Sequence, residues 1–218
     1  MSPKSDTALR DFHELTVGNA KVYLLGTIKG LKSEAENVKK AYRIAIPDII
    51  GLHISQGEMK GLEATVRGEI TEMGLSHYEE IYGVNLAAYG EIQVPPPSLV
   101  MAYRIARKKD IILAPLDMND EKYADIFTKT VTTFHLIRHS FRVKRLRKRK
   151  FNSPDARSFV LDWDAQINKV KGYREIEEAR ERYIAENIMY LSKEHSRVLA
   201  VLELERLDGI YTKLKEMK

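Results

Sequence analysis

Lys21-Val22-Tyr23-Leu24-Leu25-Gly26-Thr27-Ile28-Lys29 constrains the fold more than any other stretch of this chain. A short apolar run closed by Gly-Thr has the length and composition of a strand buried on both faces. Ser33-Glu34-Ala35-Glu36 follows and reads as a capping box, in which the Ser hydroxyl and the Glu carboxylate each take up an orphan amide of a helix's first turn. That helix is predicted to end near Ala45, since Pro47 bars its continuation, and Asp48 to Ser55 reads as a second buried strand. Strand, helix and parallel strand make a βαβ unit, for which a right-handed crossover is expected. Open α/β sheets bind ligands in the crevice beyond the carboxyl ends of their strands, so Lys29 marks the first place to look.

The remaining elements follow from the same signals. Residues 1–10 are expected to form a flexible arm and residues 11–218 one α/β domain. Phe12 to Val17 and the opening strand, separated by Gly18-Asn19, read as a hairpin. A helix is predicted from Glu58 to Met73, another from Ser98 to Arg107 after the Pro95-Pro96-Pro97 stop, and a third short strand over Ile111 to Ala114. Asn119 is predicted to cap the longest helix, whose Tyr123, Ile126, Phe127, Val131, Phe134, Ile137 and Phe141 form an apolar stripe for packing on the body of the fold. Ser153-Pro154 opens a helix to about Val170 with the lone Trp163, and a charged helix spans about Tyr173 to Lys193. The last strand is predicted over Arg197 to Leu204 and a closing helix from Asp208-Gly209-Ile210. The expected fold is α/β: a mostly parallel sheet flanked by helices on both faces, with an N-terminal β-hairpin.

With 44% apolar and 31% charged residues, the chain falls outside the disordered and fibrous classes. It has no apolar run near the roughly 18 residues a membrane-spanning helix requires, and its N-terminus lacks a secretory apolar core, so a cytoplasmic location is expected. The absence of Cys removes thiolate metal sites and a Cys nucleophile together. His135 and His139 have helical i, i+4 spacing without the intervening Glu of a His-Glu-x-x-His site, and read as surface or groove residues. His13, His77 and His195 are isolated, and Ser55 and Ser192 lack a Gly-x-Ser-x-Gly setting. Asp162 and Asp164 flank Trp163 without sharing a helix face, so they are not an acid/base pair.

The net charge of +5 is unevenly spread. Arg138, Arg142, Lys144, Arg145, Arg147, Lys148, Arg149 and Lys150 form a basic end, with no acid between Asp125 and Asp155. Such a cluster could hold nucleic acid or an anionic membrane surface in a salt-dependent way. It could equally be a solvated helix face paired with Glu175, Glu177 and Glu178.

Three separated regions, in order, resemble the TraB/PrgY family, relatives of the Tiki, ChaN and erythromycin-esterase-like proteins. Val22 to Val38 resembles the family's strand, Gly-Thr-x-His and Ser-capped helix, with Lys29 at the His position. Pro47-Asp48-Ile49-Ile50-Gly51-Leu52-His53-Ile54 resembles Pro-Asp-Val-Val-x-x-Glu-Leu, with His53 at the Glu position. Ala179 to Ala185 resembles Glu-Arg-Asp-Arg-Tyr-Met-Ala, and Val201 to Ile210 resembles the closing Val-Val-Gly-x-Gly-His-x-x-Gly-Ile, with Arg206 at the His. The resemblance implies a TraB/Tiki-like fold in which those two His and the Glu hold a divalent metal or react. Residue by residue, this chain keeps Arg180, with Gly26, Thr27 and Gly209 as framework, and neither metal nor cofactor is assigned to it.

Ammonium and guanidinium groups at Lys29 and Arg206 repel a cation instead of coordinating it. Under the resemblance, Lys29, His53, Arg180 and Arg206 would converge. One outcome is an anion site with Gly26-Thr27 and the following helix terminus supplying backbone donors. The other is a pocket filled by salt bridges from Lys29 and Arg206 to Glu203, Glu205 or Asp208. The leading expectation is a catalytically degenerate, soluble relative that acts by binding, with a small anionic ligand as the partner. The alternative is a peptidase- or esterase-like hydrolase with a rearranged site made from His53, Glu203, Glu205 and Arg180, the two Glu falling on one side of the last strand by alternation.

Overall fold

The computed structural model describes residues 9–70 and 77–217, so most of the expected N-terminal arm and residues 71–73 of the helix predicted to Met73 lie outside the described residues; within them that helix already ends at Val66, before Gly68 with φ +78. The opening run forms β2 (Ala20–Thr27), paired antiparallel with β1 (Phe12–Val17) through Val17 opposite Ala20. Gly18 takes φ +56 in the turn, a left-handed conformation that favours glycine. Helix α1 (Glu34–Ala45) leads to β3 (Ile49–Leu52), α2 (Gln56–Val66) and α3 (His77–Leu86). After a single 3₁₀ turn, α4 (Pro97–Lys109) leads to β4 (Ile112–Pro115). Then come α5 (Asp120–Thr130), α6 (Thr133–Lys148), α7 (Ala156–Ile167), α8 (Lys171–Glu194), β5 (Arg197–Glu203) and α9 (Leu204–Glu216).

The sheet order is β1-β2-β5-β3-β4, parallel except at the hairpin. The last strand is inserted between β2 and β3, so the strand with the longest buried run, Val198 to Leu202, sits in the middle. Strand side chains alternate between two cores. Val22, Leu24, Val198, Ala200 and Leu202 pack with Ile184, Ile188, Leu207 and Ile210 of α8 and α9. Tyr23, Leu25, Leu199 and Val201 pack with Val38, Ala41, Leu62 and Ala102 of α1, α2 and α4. A third cluster, built on Phe159, Val160, Trp163, Leu86 and Leu146, lies apart from these two and includes Ile28 and Leu204, just beyond β2 and β5.

Four local expectations are corrected. Ser33 makes no side-chain cap, because its backbone is already in the right-handed helical region at the end of a run of tight turns from Ile28, and Glu36 bonds Lys39 instead. The capping box belongs to Ser55 and Glu58, which open α2. The predicted long helix after Asn119 is two helices. Thr132 takes extended backbone and caps α6 through the His135 amide. The apolar stripe therefore does not pack as a unit: Val131 is buried, whereas Phe134, Ile137 and Phe141 are 65%, 53% and 69% exposed. Finally, α9 begins at Leu204, immediately after β5, so alternation along a strand cannot place Glu203 and Glu205 together.

Candidate functional site

The carboxyl ends of the parallel strands surround a cavity of about 640 Å³. Thr27 ends β2 with Lys29 two residues beyond it, Glu203 ends β5, and His53 follows β3; all four line it. Arg180 enters from α8, and Glu205 and Arg206 from the first turn of α9. Leu62, Leu86, Ile92, Val94, Leu99 and Ile167 supply an apolar wall. Every crevice residue expected from the sequence reaches this cavity except Gly26, which stands one residue before Thr27. There a Cβ would come 2.9 Å from Leu207, so the glycine lets α9 lie close on β2. The Thr27 hydroxyl donates to Leu202 O at 3.1 Å and joins the two strand ends.

His53 Nδ1 accepts a hydrogen bond from the Glu203 N–H at 3.1 Å. An imidazole that accepts is neutral, and burial likewise lowers its pKa. Its Nε2 faces Asp117, 3.6 Å away, and Arg180. Asp117 was not singled out from the sequence, although it lies two residues beyond β4 and the same strand-end rule applies to it. Its N–H donates to Ile54 O, which fixes it beside His53. Arg180 donates to Asp117 through Nε at 3.1 Å and to Glu177 at 3.0 and 3.1 Å, so its guanidinium is already committed. Burial opposes the Arg180 charge, but Glu177, Glu203 and Asp117 outweigh it and raise the pKa.

Arg206 is more fully enclosed still. It contacts Asp164, lies 3.3 Å from Glu181 and has Nε 3.5 Å from Glu177, partners separate from the Glu203, Glu205 and Asp208 expected for it. Burial lowers its pKa to about 10, which leaves it cationic at neutral pH. Glu181 also holds Lys213 at 3.0 Å. Gly209 makes room for this, since a Cβ there would meet the Glu181 carboxylate at 2.2 Å. Asp162 pairs with Arg149, in agreement with separate roles for the two Asp around Trp163.

Lys29 is bound more loosely, 3.7 Å from Glu79 and 4.0 Å from Glu203, with a side chain 43% exposed. Glu203 raises its pKa against the effect of burial. Burial also penalises the charge on Glu203, but the cations Lys29 and Arg180 hold its pKa low; His53, being neutral, adds no cation. Glu205 moves the other way: burial, then repulsion from Glu203, pushes it up to about 8. Its Oε2 is buried without a hydrogen-bond partner, and so is the Tyr82 hydroxyl, which lines the same cavity and stays protonated because burial raises its pKa. Nearby, Tyr78 accepts a hydrogen bond from Trp163 Nε1 at 2.6 Å. Neither Tyr was anticipated.

This donor set does not fit a divalent metal. Cations stand at two of the positions the resemblance assigns to ligands, and no three His, Cys, Asp or Glu side chains among the described residues cluster to hold an ion. His135 and His139 do not converge on a metal either: His135 Nδ1 accepts from the Thr132 N–H at 3.4 Å as the capping-box partner, and His139 stacks on Tyr173, ring centroids 3.8 Å apart.

The basic end lies outside the cavity, on α6 and just beyond it. The expected partners Glu175, Glu177 and Glu178 pair with Lys171, Arg180 and Arg174 instead. Among the described residues, Arg149 pairs with Asp162, and the other seven basic residues of 138–150 form no ion pair.

Fold and site together define an α/β chain with a ligand-sized crevice at the carboxyl ends of its strands. Compared with family models and with curated protein sequences, the chain matches none. No helix among the described residues is long and apolar enough to cross a membrane.

Proposed function

We propose that this is a divergent TraB/PrgY-like protein that acts by binding, and that its crevice takes a small molecule presenting one carbonyl or carboxylate on an apolar body. The observation behind this reading is the buried, unpartnered Glu205 Oε2 and Tyr82 hydroxyl, carried by two residues that line the same cavity as Lys29. With Glu205 protonated below about pH 8, both groups are donors, and Lys29 adds a third donor and a positive charge. An acceptor oxygen would satisfy them, and unmet buried donors are costly. The guanidiniums of Arg180 and Arg206 are spent on carboxylates, and Glu58, Glu79, Asp164, Glu177 and Glu203 also line the cavity, so a polyphosphate would be repelled. The anionic ligand expected from the sequence is thereby narrowed to one weak charge.

Calorimetry with medium-chain carboxylates, their amides and inorganic phosphate tests the reading. Carboxylates or amides should bind, and Tyr82→Phe should weaken them roughly 2- to 10-fold, as loss of one hydrogen bond does. Phosphate binding as tightly as the carboxylates, or Tyr82→Phe without effect, would sink it.

One observation favours a hydrolase as the second reading: Glu203 and Glu205 are pushed to opposite protonation states on one wall, the usual arrangement of a base and an acid. Turnover of an ester or peptide panel that disappears in Glu203→Gln would establish it. No turnover across the panel leaves the binding reading alone.

A further inference from the structure

Helix α6 is built inside out. Its inward positions, 135, 139, 142, 143 and 146, hold two His, an Arg, Val143 and Leu146. His139 stacks on Tyr173 of α8, and Leu146 is buried in the third cluster. At 100° per residue, the opposite face is centred on Ile137 and contains Phe134, Phe141, Lys144 and Lys148. Phe134, Ile137 and Phe141 are each more than half exposed, and Arg138 and Arg145 flank this face. Soluble helices place such apolar residues against their core, and a large apolar group on a cationic rim marks a surface that meets something.

We propose that this face of α6 docks the protein on an anionic lipid surface, with Phe134, Ile137 and Phe141 entering the interface while Lys144, Lys148 and their basic neighbours contact the head groups. Charge complementarity identifies the partner. A second copy would bring the same unpaired cations against one another. A nucleic acid would reward the cations but leave Ile137 and the two Phe without apolar contact, as they stand about 4.5 to 10 Å apart along a convex helix. A bilayer surface rewards both sets, because an amphipathic helix lying in the interface buries aromatic and aliphatic groups beneath its Lys and Arg. The helix need not cross the membrane, and its 16 residues with repeated cations could not.

The test is flotation of the full chain with vesicles of phosphatidylcholine containing roughly a third phosphatidylserine, beside pure phosphatidylcholine vesicles and a duplex oligonucleotide. The chain should float with the anionic vesicles only. Lys144→Gln and Lys148→Gln should each weaken partitioning about five-fold, the value of one cation at such a surface. Phe134→Ser with Ile137→Ser and Phe141→Ser should weaken it at least about tenfold, with a loss that high salt does not mask. Thermal unfolding curves confirm that these exposed substitutions leave the fold intact, and Phe141→Ser alone serves if the triple variant does not fold. Absence of the protein from anionic vesicles overturns the proposal. So does serine-variant binding equal to the parent, or retention of the oligonucleotide without the vesicles.

Discussion

Two groups of cations in this chain end in opposite circumstances. Arg180 and Arg206 lie at the sheet's carboxyl edge, Arg180 held by Asp117 and by Glu177 of its own helix, Arg206 by carboxylates of α7 and α8. The cations of α6 come from a stretch of sequence with no acid, and most of them find none in space. The first group is architecture, since each charge is answered within the fold. The second is unanswered, and so is available to a partner. Whether a basic residue is structural or available is decided by carboxylates that are remote in sequence.

The largest effect that tests this contrast is expected at Arg206. Arg206→Met would strip Asp164 of its cation and leave Glu181 and Glu177 to Lys213 and Arg180 alone, and should destabilise by about 3 kcal/mol in denaturant unfolding. A loss near zero would erase the difference between the two groups. Gly209→Ala comes next, because its Cβ must displace the Glu181 carboxylate from Arg206 and Lys213; a loss of about 1–3 kcal/mol is expected. If Glu181→Gln lowers the cost of that alanine, the clash is with the held carboxylate and the comparison is sharpened.

Glu205→Gln is a smaller effect with a definite sign. The folded pKa of about 8 lies above the ordinary 4.5, so the native state keeps a proton that the unfolded chain releases. Stability contributed by that neutral carboxyl is complete below 4.5 and is lost as pH rises through about 8. The melting temperature of Glu205→Gln should gain on the parent across this window and stay above it at higher pH. Carboxylate binding by the parent should weaken through the same range, and a gap that ignores pH would break the assignment. At the small end, Lys144→Gln and Lys148→Gln should change stability by less than about 0.5 kcal/mol, as expected of unpaired surface cations. A larger loss would mean that α6 is answered within the fold after all.

The parallel strands were legible because a strand buried on both faces must be apolar throughout, and Val198 to Leu202 has no other use. His53, Lys29 and Glu203 were legible for a related reason: they stand at or just beyond the ends of such strands. Glu177, Glu181 and Asp164 were not, since nothing local separates them from the other acids of α7 and α8. Only the arrival of α9 gives them their roles. The break at Thr132 was hidden by an apolar spacing that runs straight through it. The available signal was the β-branched run Val131-Thr132-Thr133, with a good N-cap residue in its midst. Ser33 and Ser55 have the same Ser-x-x-Glu pattern, and only the backbone leading into each decides which one caps.

The junction of β5 with α9 has no loop at all: Glu203 closes the central strand and Leu204 opens the helix. Glu203, Glu205 and Arg206 are thus bolted to the stiffest part of the sheet, with no joint between the scaffold and the groups that would meet a ligand. Such a wall has little motion left to surrender on binding, so ordering it costs little and yields little adjustment. It acts as a gauge that tests the shape of what enters the crevice, and any closing movement must come from the opposite side.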